Sequence, residues 1–321
     1  MNAAHRQGQG RLLLVLLAVG LVLAGLIVLL LGMSGRFLPH DERFLGMTAE
    51  ELCALHGCRI VHFMIHDRVS FGGAVLAVGV LYLGLSVSPL RQRQVWAWWA
   101  LLLSGAVGFA SFLGYLGFGY LDAWHAIATL LLLPCFVLGL AWSRPTFARP
   151  ADSGPVLRPS VRVPWSSAHG VGRACLLAAA GGLVAGGLTI LVLGMTCVFV
   201  PEDLAYMGLR VEELHAINPR LVPLIAHDRA GFGGAVCCFG VVLCWCVWCG
   251  QSSRGLWWAV ALAGLTAFGP AIAIHPLVGY NDPIHLAPAV AGAVLYGVGL
   301  FLTFRSRRQA IAEGTRNPVR E

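Results

Sequence analysis

The apolar residues of the chain come in eight long blocks separated by shorter polar stretches. Each block is close to the ~20 residues that an α-helix needs to cross a bilayer. A backbone in lipid must satisfy its own hydrogen bonds, and the blocks lack the alternation of membrane-barrel strands. We therefore predict an all-α integral membrane protein with eight transmembrane helices. Their approximate limits are 12–32, 71–89, 95–116, 123–142, 174–198, 232–250, 256–275 and 284–304.

The two halves of the chain carry the same motifs in the same order, at an offset of 159–162 residues. Each half contains four predicted spans, an even number, so both should insert in the same direction. The pattern predicts two parallel four-helix repeats at 1–142 and 174–304, a cytoplasmic linker at 143–173 and a cytoplasmic tail at 305–321. The main matches are Phe37-Leu-Pro-His-Asp41 with Phe199-Val-Pro-Glu-Asp203, His66-Asp67-Arg68 with His227-Asp228-Arg229, Phe71-Gly72-Gly73 with Phe232-Gly233-Gly234, and Gly119-Tyr120-x-Asp122-x-x-His125 with Gly279-Tyr280-x-Asp282-x-x-His285.

The charges indicate an orientation rather than a nucleic-acid partner. All 22 basic residues are arginine, and with the N-terminus inside, 15 fall in inner segments and 7 in outer ones. This bias follows the positive-inside rule, which predicts that both termini are cytoplasmic. The formal charge of +7 is explained by topology. We expect membrane lipids, and no nucleic acid, as partners.

The loop after the first span of each half is long and should lie outside. Thr48 and Glu51 have the spacing of a capping box, which predicts a short interfacial helix there and a second one at about 210–217. Leu45 and Leu52, with Met47 and Leu55, could then rest on the membrane surface. Cys53 and Cys58 lie in the same loop and could form a disulfide in an oxidising compartment.

Two polar constellations could carry chemistry, and each occurs once per half. A His-Asp-Arg triplet precedes the second span, and an Asp-x-x-His pair, whose members share a helix face, opens the fourth. If the four helices of one half bundle together, these residues converge near an outer cavity. The predicted ligand-binding residues are His66, Asp67, Arg68, Asp122 and His125, with His227, Asp228, Arg229, Asp282 and His285.

Several interpretations of these residues remain open. In the structural one, the aspartates cap helices and Asp67–Arg68 joins neighbouring helices. In the one we favour, arginine and histidine bind a small polar or amphipathic ligand, such as a lipid headgroup or a quinone, for binding or transport. The motifs identify no particular cofactor, and no metal ligand is assigned.

Two alternatives are a haem- or metal-dependent membrane redox protein or enzyme, and a structural or assembly membrane protein. Haem would use His66 with His125, and His227 with His285, as axial pairs. A metal ion would use His66, His125 and Asp122. His275 has no counterpart in the first half, where Leu116 lies nearby, and this marks either functional asymmetry or a kinked helix end before Pro276.

The run from Asp203 to Gly234, with Ile217-Asn-Pro-Arg-Leu-Val-Pro-Leu-Ile-Ala-His-Asp-Arg-Ala-Gly-Phe-Gly-Gly234, resembles uncharacterised bacterial multi-pass membrane proteins with a duplicated His-Asp-Arg-x-x-Phe-Gly-Gly motif. Some of these carry a dihydroorotate dehydrogenase label. That label implies a flavin-bearing barrel, for which this chain lacks the strand–helix alternation. The resemblance implies the helical fold and the bacterial inner membrane, and no activity.

Overall fold

The computed structural model describes residues 3–114, 120, 123–144, 163–250 and 253–316, with the backbone alone for 3, 123–125 and 308–316. Within these residues the chain forms twelve α-helices and no strand, and eight helices are long and apolar enough to cross a membrane. The predicted all-α multi-pass class is therefore confirmed. The helices are α1 (Ala3–Met33), α2 (Pro39–Leu45), α3 (Ala49–His56), α4 (Arg59–Val87), α5 (Val95–Leu113), α6 (Ala123–Ser143), α7 (Ala168–Met195), α8 (Pro201–Met207), α9 (Val211–Ile217), α10 (Leu221–Cys249), α11 (Arg254–Val278) and α12 (Pro283–Arg316).

Helices α4 and α10 start well before the apolar blocks that mark them in the sequence. They begin at Arg59 and Leu221, whereas the blocks begin near residues 71 and 232. The extra turns contain the two His-Asp-Arg triplets, which therefore lie inside the helices and not at their mouths. At 1.5 Å per residue, Asp67 is roughly 12 Å along α4. The predicted limits were too short because hydropathy counts these residues as polar, while other helices bury and pair them.

The two central helices are packed closely against their neighbours through glycines. A Cβ on Gly72 of α4 would meet the backbone of Leu29 in α1, and one on Gly233 of α10 would meet the backbone of Leu191 in α7. Small residues at such positions let membrane helices approach backbone to backbone. Together with mutual contact between α4 and α10, this makes these two the most buried of the eight spans.

The two halves interlock. Helix α11 of the second half packs along α4 of the first, and α5 of the first half packs along α10 of the second. Within each half, by contrast, the fourth span packs on the first span, as α6 on α1 and α12 on α7. Neither half is a closed four-helix bundle, so residues of α4 meet partners from the opposite half.

Four short helices, α2, α3, α8 and α9, cover one end of the bundle, which we call the cap face. The other end, where α1 begins and α12 ends, is the terminal face. Thr48 caps α3 as predicted, since its Oγ1 accepts from Glu51 N at 3.1 Å and Glu51 accepts from Thr48 N at 2.7 Å. The predicted helix at 210–217 is α9, while α2 and α8 were not predicted.

The expectation that the leucines of this loop rest on the membrane surface is wrong for two of them. Leu45 and Leu52 are 5% and 1% exposed and lie in an internal apolar cluster, whereas Leu55 is 59% exposed. Loop segments of the two halves hold each other in place instead. Asn218 Nδ2 donates to the Leu45 carbonyl at 2.8 Å, and Arg220 Nη1 donates to the Phe44 carbonyl at 2.6 Å.

Cys53 and Cys58 are joined by a disulfide. The bond ties α3 to the residue just before α4, at the cap face. His215 and Arg220 stand at about these places in the second half, so the second half has no equivalent bond. The eight other cysteines include Cys246 and Cys249, which are both buried within α10, and Cys246 packs in the apolar core.

Candidate functional site

The polar residues of α4 and α10 exchange partners between the two halves. Arg68 Nε donates to Asp228 Oδ2 at 2.8 Å, and Arg229 Nε donates to Asp67 Oδ2 at 3.1 Å. These four side chains are between 2% and 14% exposed. This pairing between the halves is possible because α4 and α10 are in contact, with the two His-Asp-Arg triplets next to each other.

Each arginine also binds a second aspartate, from a cap helix. Arg68 Nη1 lies 2.8 Å from Asp41 Oδ2, and Arg229 Nη1 lies 2.6 Å from Asp203 Oδ2. The same carboxylate oxygens accept from the backbone N–H groups at the start of α2 and α8. Both guanidinium groups thus have internal carboxylate partners. The hypothesis that Arg68 and Arg229 contact a ligand remains a prediction, and this geometry gives them a structural role.

A tyrosine completes each cluster. The Tyr280 hydroxyl donates to Asp203 Oδ1 at 2.8 Å, and the Tyr120 hydroxyl donates to Asp41 Oδ1. Reasoning from the sequence did not assign these four residues to the site. The signal was present, however, because all four lie in motifs that occur in both halves.

We call the two groups the Arg229 cluster (Arg229 with Asp67 and Asp203) and the Arg68 cluster (Arg68 with Asp41 and Asp228). Each cluster places two carboxyl groups on one guanidinium, and a backbone N–H and a tyrosine hydroxyl also donate to the carboxyl group from the cap helix. Buried carboxyl groups are stable only with such partners.

Three histidines meet beside the Arg229 cluster. One ring nitrogen from each of His66, His275 and His285 lies within 4.8 Å of the others. His66 Nε2 and His275 Nε2 are 3.1 Å apart, and the ring centre of His285 lies 5.4 Å from that of His66 and 5.5 Å from that of His275. His66 and His275 are each 3% exposed. His66 comes from α4, and the other two come from α11 and α12.

The partners of these rings indicate where their protons lie. His275 Nδ1 is 2.8 Å from the Ala271 carbonyl, which can only accept, so this nitrogen carries a hydrogen. His66 Nδ1 faces the Asp67 carboxylate at 3.1 Å and carries one too. In their neutral forms, both rings then present Nε2 lone pairs to each other across 3.1 Å. Two lone pairs at this distance repel unless a proton or a metal ion lies between them.

His285 fits the same scheme. The Tyr280 hydroxyl donates to Asp203, so its oxygen can accept from His285 Nδ1, which is 3.1 Å away. The Nε2 of His285 is then left as a base. Each of the three rings is thereby oriented by an acceptor on Nδ1, an arrangement typical of metal-binding histidines.

The equivalent position in the other half differs. His227 Nδ1 lies 3.1 Å from Asp228 Oδ1, and the His227 and Tyr120 ring centres are 5.0 Å apart. Tyr115 lies 160 residues before His275, the offset of the adjacent Gly119-Tyr120 and Gly279-Tyr280 match, so the sequence of the first half has no histidine at the place of His275.

The remaining predicted residues fall into two groups. Asp282 caps α12, because its Oδ1 accepts from Ile284 N at 2.9 Å and from His285 N at 2.8 Å. Asp122 and the side chain of His125 lie outside the described residues. The expected grouping by half does not hold for His66 and His285, since these come from opposite halves and lie together. His285 is therefore next to His66 and not, as the haem alternative required, paired with His227.

A groove of about 510 Å³ opens on the cap face next to the histidines, between α8 and the start of α12. Its wall includes Tyr206 and Tyr280, whose rings stack with centres 4.5 Å apart. Burial raises the pKa of both phenols, and for Tyr280 the neighbouring Asp203 adds to this effect. Both tyrosines therefore stay protonated and act as hydrogen-bond donors at neutral pH.

No family model, curated protein or solved structure matches this chain. The resemblance to bacterial multi-pass proteins accordingly stays a prediction, and functional inference rests on the geometry.

Proposed function

We propose that this is a metal-binding membrane protein whose His66, His275 and His285 hold a transition-metal ion. The observation that supports this most directly is the opposition of two imidazole Nε2 atoms at 3.1 Å with both Nδ1 atoms bound to acceptors. Tetrahedral ligands at 2.0–2.1 Å from zinc are themselves about 3.3–3.4 Å apart, close to this separation. A small movement of His285 would complete the set.

The surroundings of the three rings support the same proposal. The carboxyl groups of Asp67 and Asp203 lie beside the rings with a single guanidinium between them, an arrangement that favours a bound cation. Neutral imidazole suits zinc, copper, iron and nickel, and three histidines that leave a fourth position open are typical of catalytic zinc sites. Asp67 and Tyr280 would orient His66 and His285.

Metal analysis of the purified protein tests the proposal. Apo-protein prepared with a chelator should take up one equivalent of Zn²⁺, and Co²⁺ should give the visible absorption of a tetrahedral site. His275→Gln should weaken binding at least about 100-fold, since loss of a ligand should exceed the 10–100-fold effect of second-layer changes.

Two controls separate this site from other histidines. His215→Gln, on the exposed surface of α9, and His227→Gln, at the pseudo-equivalent position, should keep the one-equivalent stoichiometry. If the parent binds no stoichiometric metal, or if His275→Gln binds as tightly as the parent, the metal proposal is overturned.

A second candidate function is binding or transport of a small polar or amphipathic ligand, such as a quinone, in the cap-face groove. The stacked rings of Tyr206 and Tyr280 would contact a flat ring, while their hydroxyl groups are held in place by the Val278 carbonyl and by Asp203. Tyr206→Ala should abolish binding of a quinone analogue, measured by isothermal titration calorimetry, without changing the zinc stoichiometry. Equal binding by both proteins would exclude this groove.

We place the cap face outside the cytoplasm of a bacterial inner membrane, with both termini inside. The arginine bias and the Cys53–Cys58 bond support this orientation. In intact cells, an impermeant thiol reagent should label Glu212→Cys above the parent level and should not label Arg254→Cys. The reverse pattern would invert the topology.

A further inference from the structure

The Cys53–Cys58 disulfide joins two residues that the backbone already holds together. The cysteines are five positions apart, and a crosslink stabilises a protein less when it closes a shorter loop. The Cys58 N–H donates to the Cys53 carbonyl at 3.3 Å, and the Gly57 N–H donates to the same carbonyl. The bond therefore closes a turn that backbone hydrogen bonds also form.

The second half builds the same junction without a disulfide. Helix α9 ends at Ile217 and α10 begins at Leu221. Asn218 closes the turn between them, because its Oδ1 accepts from Arg220 N at 2.9 Å. Helix α10 is nevertheless one of the two most buried spans. The architecture does not require a covalent bond at this junction, which leaves the bond of the first half open to a chemical role.

Cys58 lies at the start of a long helix. It is the N-cap residue of the 29-residue α4, and its side chain, held in the disulfide, does not accept a hydrogen bond from the helix. The first N–H groups of a helix stabilise a negative charge, and a thiolate is favoured there. Arg59, the exposed first residue of α4, adds a positive charge. A thiolate released at Cys58 is thus stabilised, which makes Cys58 a good leaving group.

The disulfide is accessible from the cap face. Both cysteines are half-buried, whereas Ala54, Leu55 and Gly57 between them are exposed, Leu55 at 59%. These three residues carry no charge and give a surface on which a segment of another protein can lie next to the sulfur atoms.

We propose that Cys53–Cys58 is a redox-active disulfide that exchanges with a dithiol of another protein at the cap face. A thiolate of that protein attacks Cys53 Sγ, the S–S bond breaks, and Cys58 leaves as a thiolate. The second thiol of the other protein then attacks its own sulfur in the mixed disulfide, which closes the disulfide of that protein and releases Cys53. Two electrons pass from the dithiol to the cysteine pair, and the two protons go to Cys53 and Cys58 or to water. The proposal does not depend on the metal centre.

The first measurement compares Cys58 with Cys197 in one protein. Cys197 is exposed and follows the C-terminal end of α7, where a thiolate is disfavoured. In the full-length Cys53→Ser variant, iodoacetamide at pH 6 should alkylate Cys58 at least about tenfold faster than Cys197, since a helix N-terminus favours the thiolate. Equal rates, or a faster reaction at Cys197, would overturn the proposal.

The exchange itself is measured on the parent protein with a synthetic peptide that carries two cysteines. After alkylation stops the reaction, the tryptic peptide 44–59 reports the state of the pair, because it contains Cys53 and Cys58 and no other cysteine. Oxidised glutathione at the same concentration is the reference disulfide. One peptide dithiol should be oxidised per protein, at least about tenfold faster than by oxidised glutathione. A pair that stays oxidised, or that reacts no faster than glutathione, would refute the exchange.

The double variant Cys53→Ser/Cys58→Ser separates exchange from a structural role. It should oxidise no peptide, and it should unfold at the same SDS concentration as the parent, because backbone hydrogen bonds hold the turn. If the double variant unfolds at a lower SDS concentration than the parent, the bond is structural and the proposal fails.

Discussion

Replacing Arg229 by methionine should destabilise the protein more than any surface substitution. The change keeps the length of the side chain and removes the charge that Asp67 and Asp203 share. Those two carboxylates are 2% and 0% exposed, and the arginine nitrogens lie 3.1 and 2.6 Å from them. Removing one partner from a buried ion pair costs about 3–5 kcal/mol, because the other charge stays buried and unpaired.

That loss is a large share of the roughly 5–15 kcal/mol that separates folded from unfolded proteins. Unfolding of the purified protein by SDS, followed by circular dichroism, should measure it. Adding Asp67→Asn to Arg229→Met should recover part of the stability, since it removes one of the stranded charges. This recovery distinguishes the ion pair from simple packing.

The matched control is Arg210→Met at the cap face. Arg210 pairs with Glu213 at 3.4 Å, but its side chain is 77% exposed, so we expect no measurable change. If Arg229→Met loses less than about 1 kcal/mol, or if Asp67→Asn makes it worse, the reasoning about buried charge is refuted.

Three further changes test other parts of the structure. Tyr280→Phe removes the hydroxyl that orients His285 and should weaken zinc binding about 10–100-fold in a competition titration, whereas an unchanged affinity would contradict the role given to that hydroxyl. Gly187→Val places a side chain against the backbone of α10 and should lower the free energy of unfolding in SDS by about 1–3 kcal/mol. Gly186→Val is the control, because a Cβ at Gly186 meets no atom within 4 Å, and it should leave the free energy of unfolding unchanged. Equal losses for the two variants would contradict the packing argument. Thr48→Ala removes the cap of α3 and should cost about 1 kcal/mol by the same assay, with Thr48→Ser retaining the stability of the parent.

The sequence predicted the fold class because apolar blocks of bilayer length leave few alternatives. It predicted α3 and α9 as well, since a capping box is a local signal. The start of α4 was missed for a physical reason. Residues such as Asp67 become compatible with a helix interior only when a partner from another helix, here Arg229, is present.

The site itself was predicted in part. The sequence motifs predict both His66 and His285 as site residues. Matching motifs between the halves does not predict whether the neighbour of a residue comes from its own half or from the other. The neighbours depend on the packing of α11 against α4 and of α5 against α10, and such contacts between helices distant in sequence are a property of the tertiary structure. His275 has no matching histidine in the first half of the sequence, and only the fold shows that it faces His66.

The crosswise pairing of Arg68 with Asp228 and Arg229 with Asp67 has a consequence for the order of assembly. During synthesis α4 is made before α10, so Asp67 enters the bundle before the arginine that pairs with it exists. An unpaired buried carboxylate is costly. The packing of α4 is therefore completed only after the second half of the chain has been inserted.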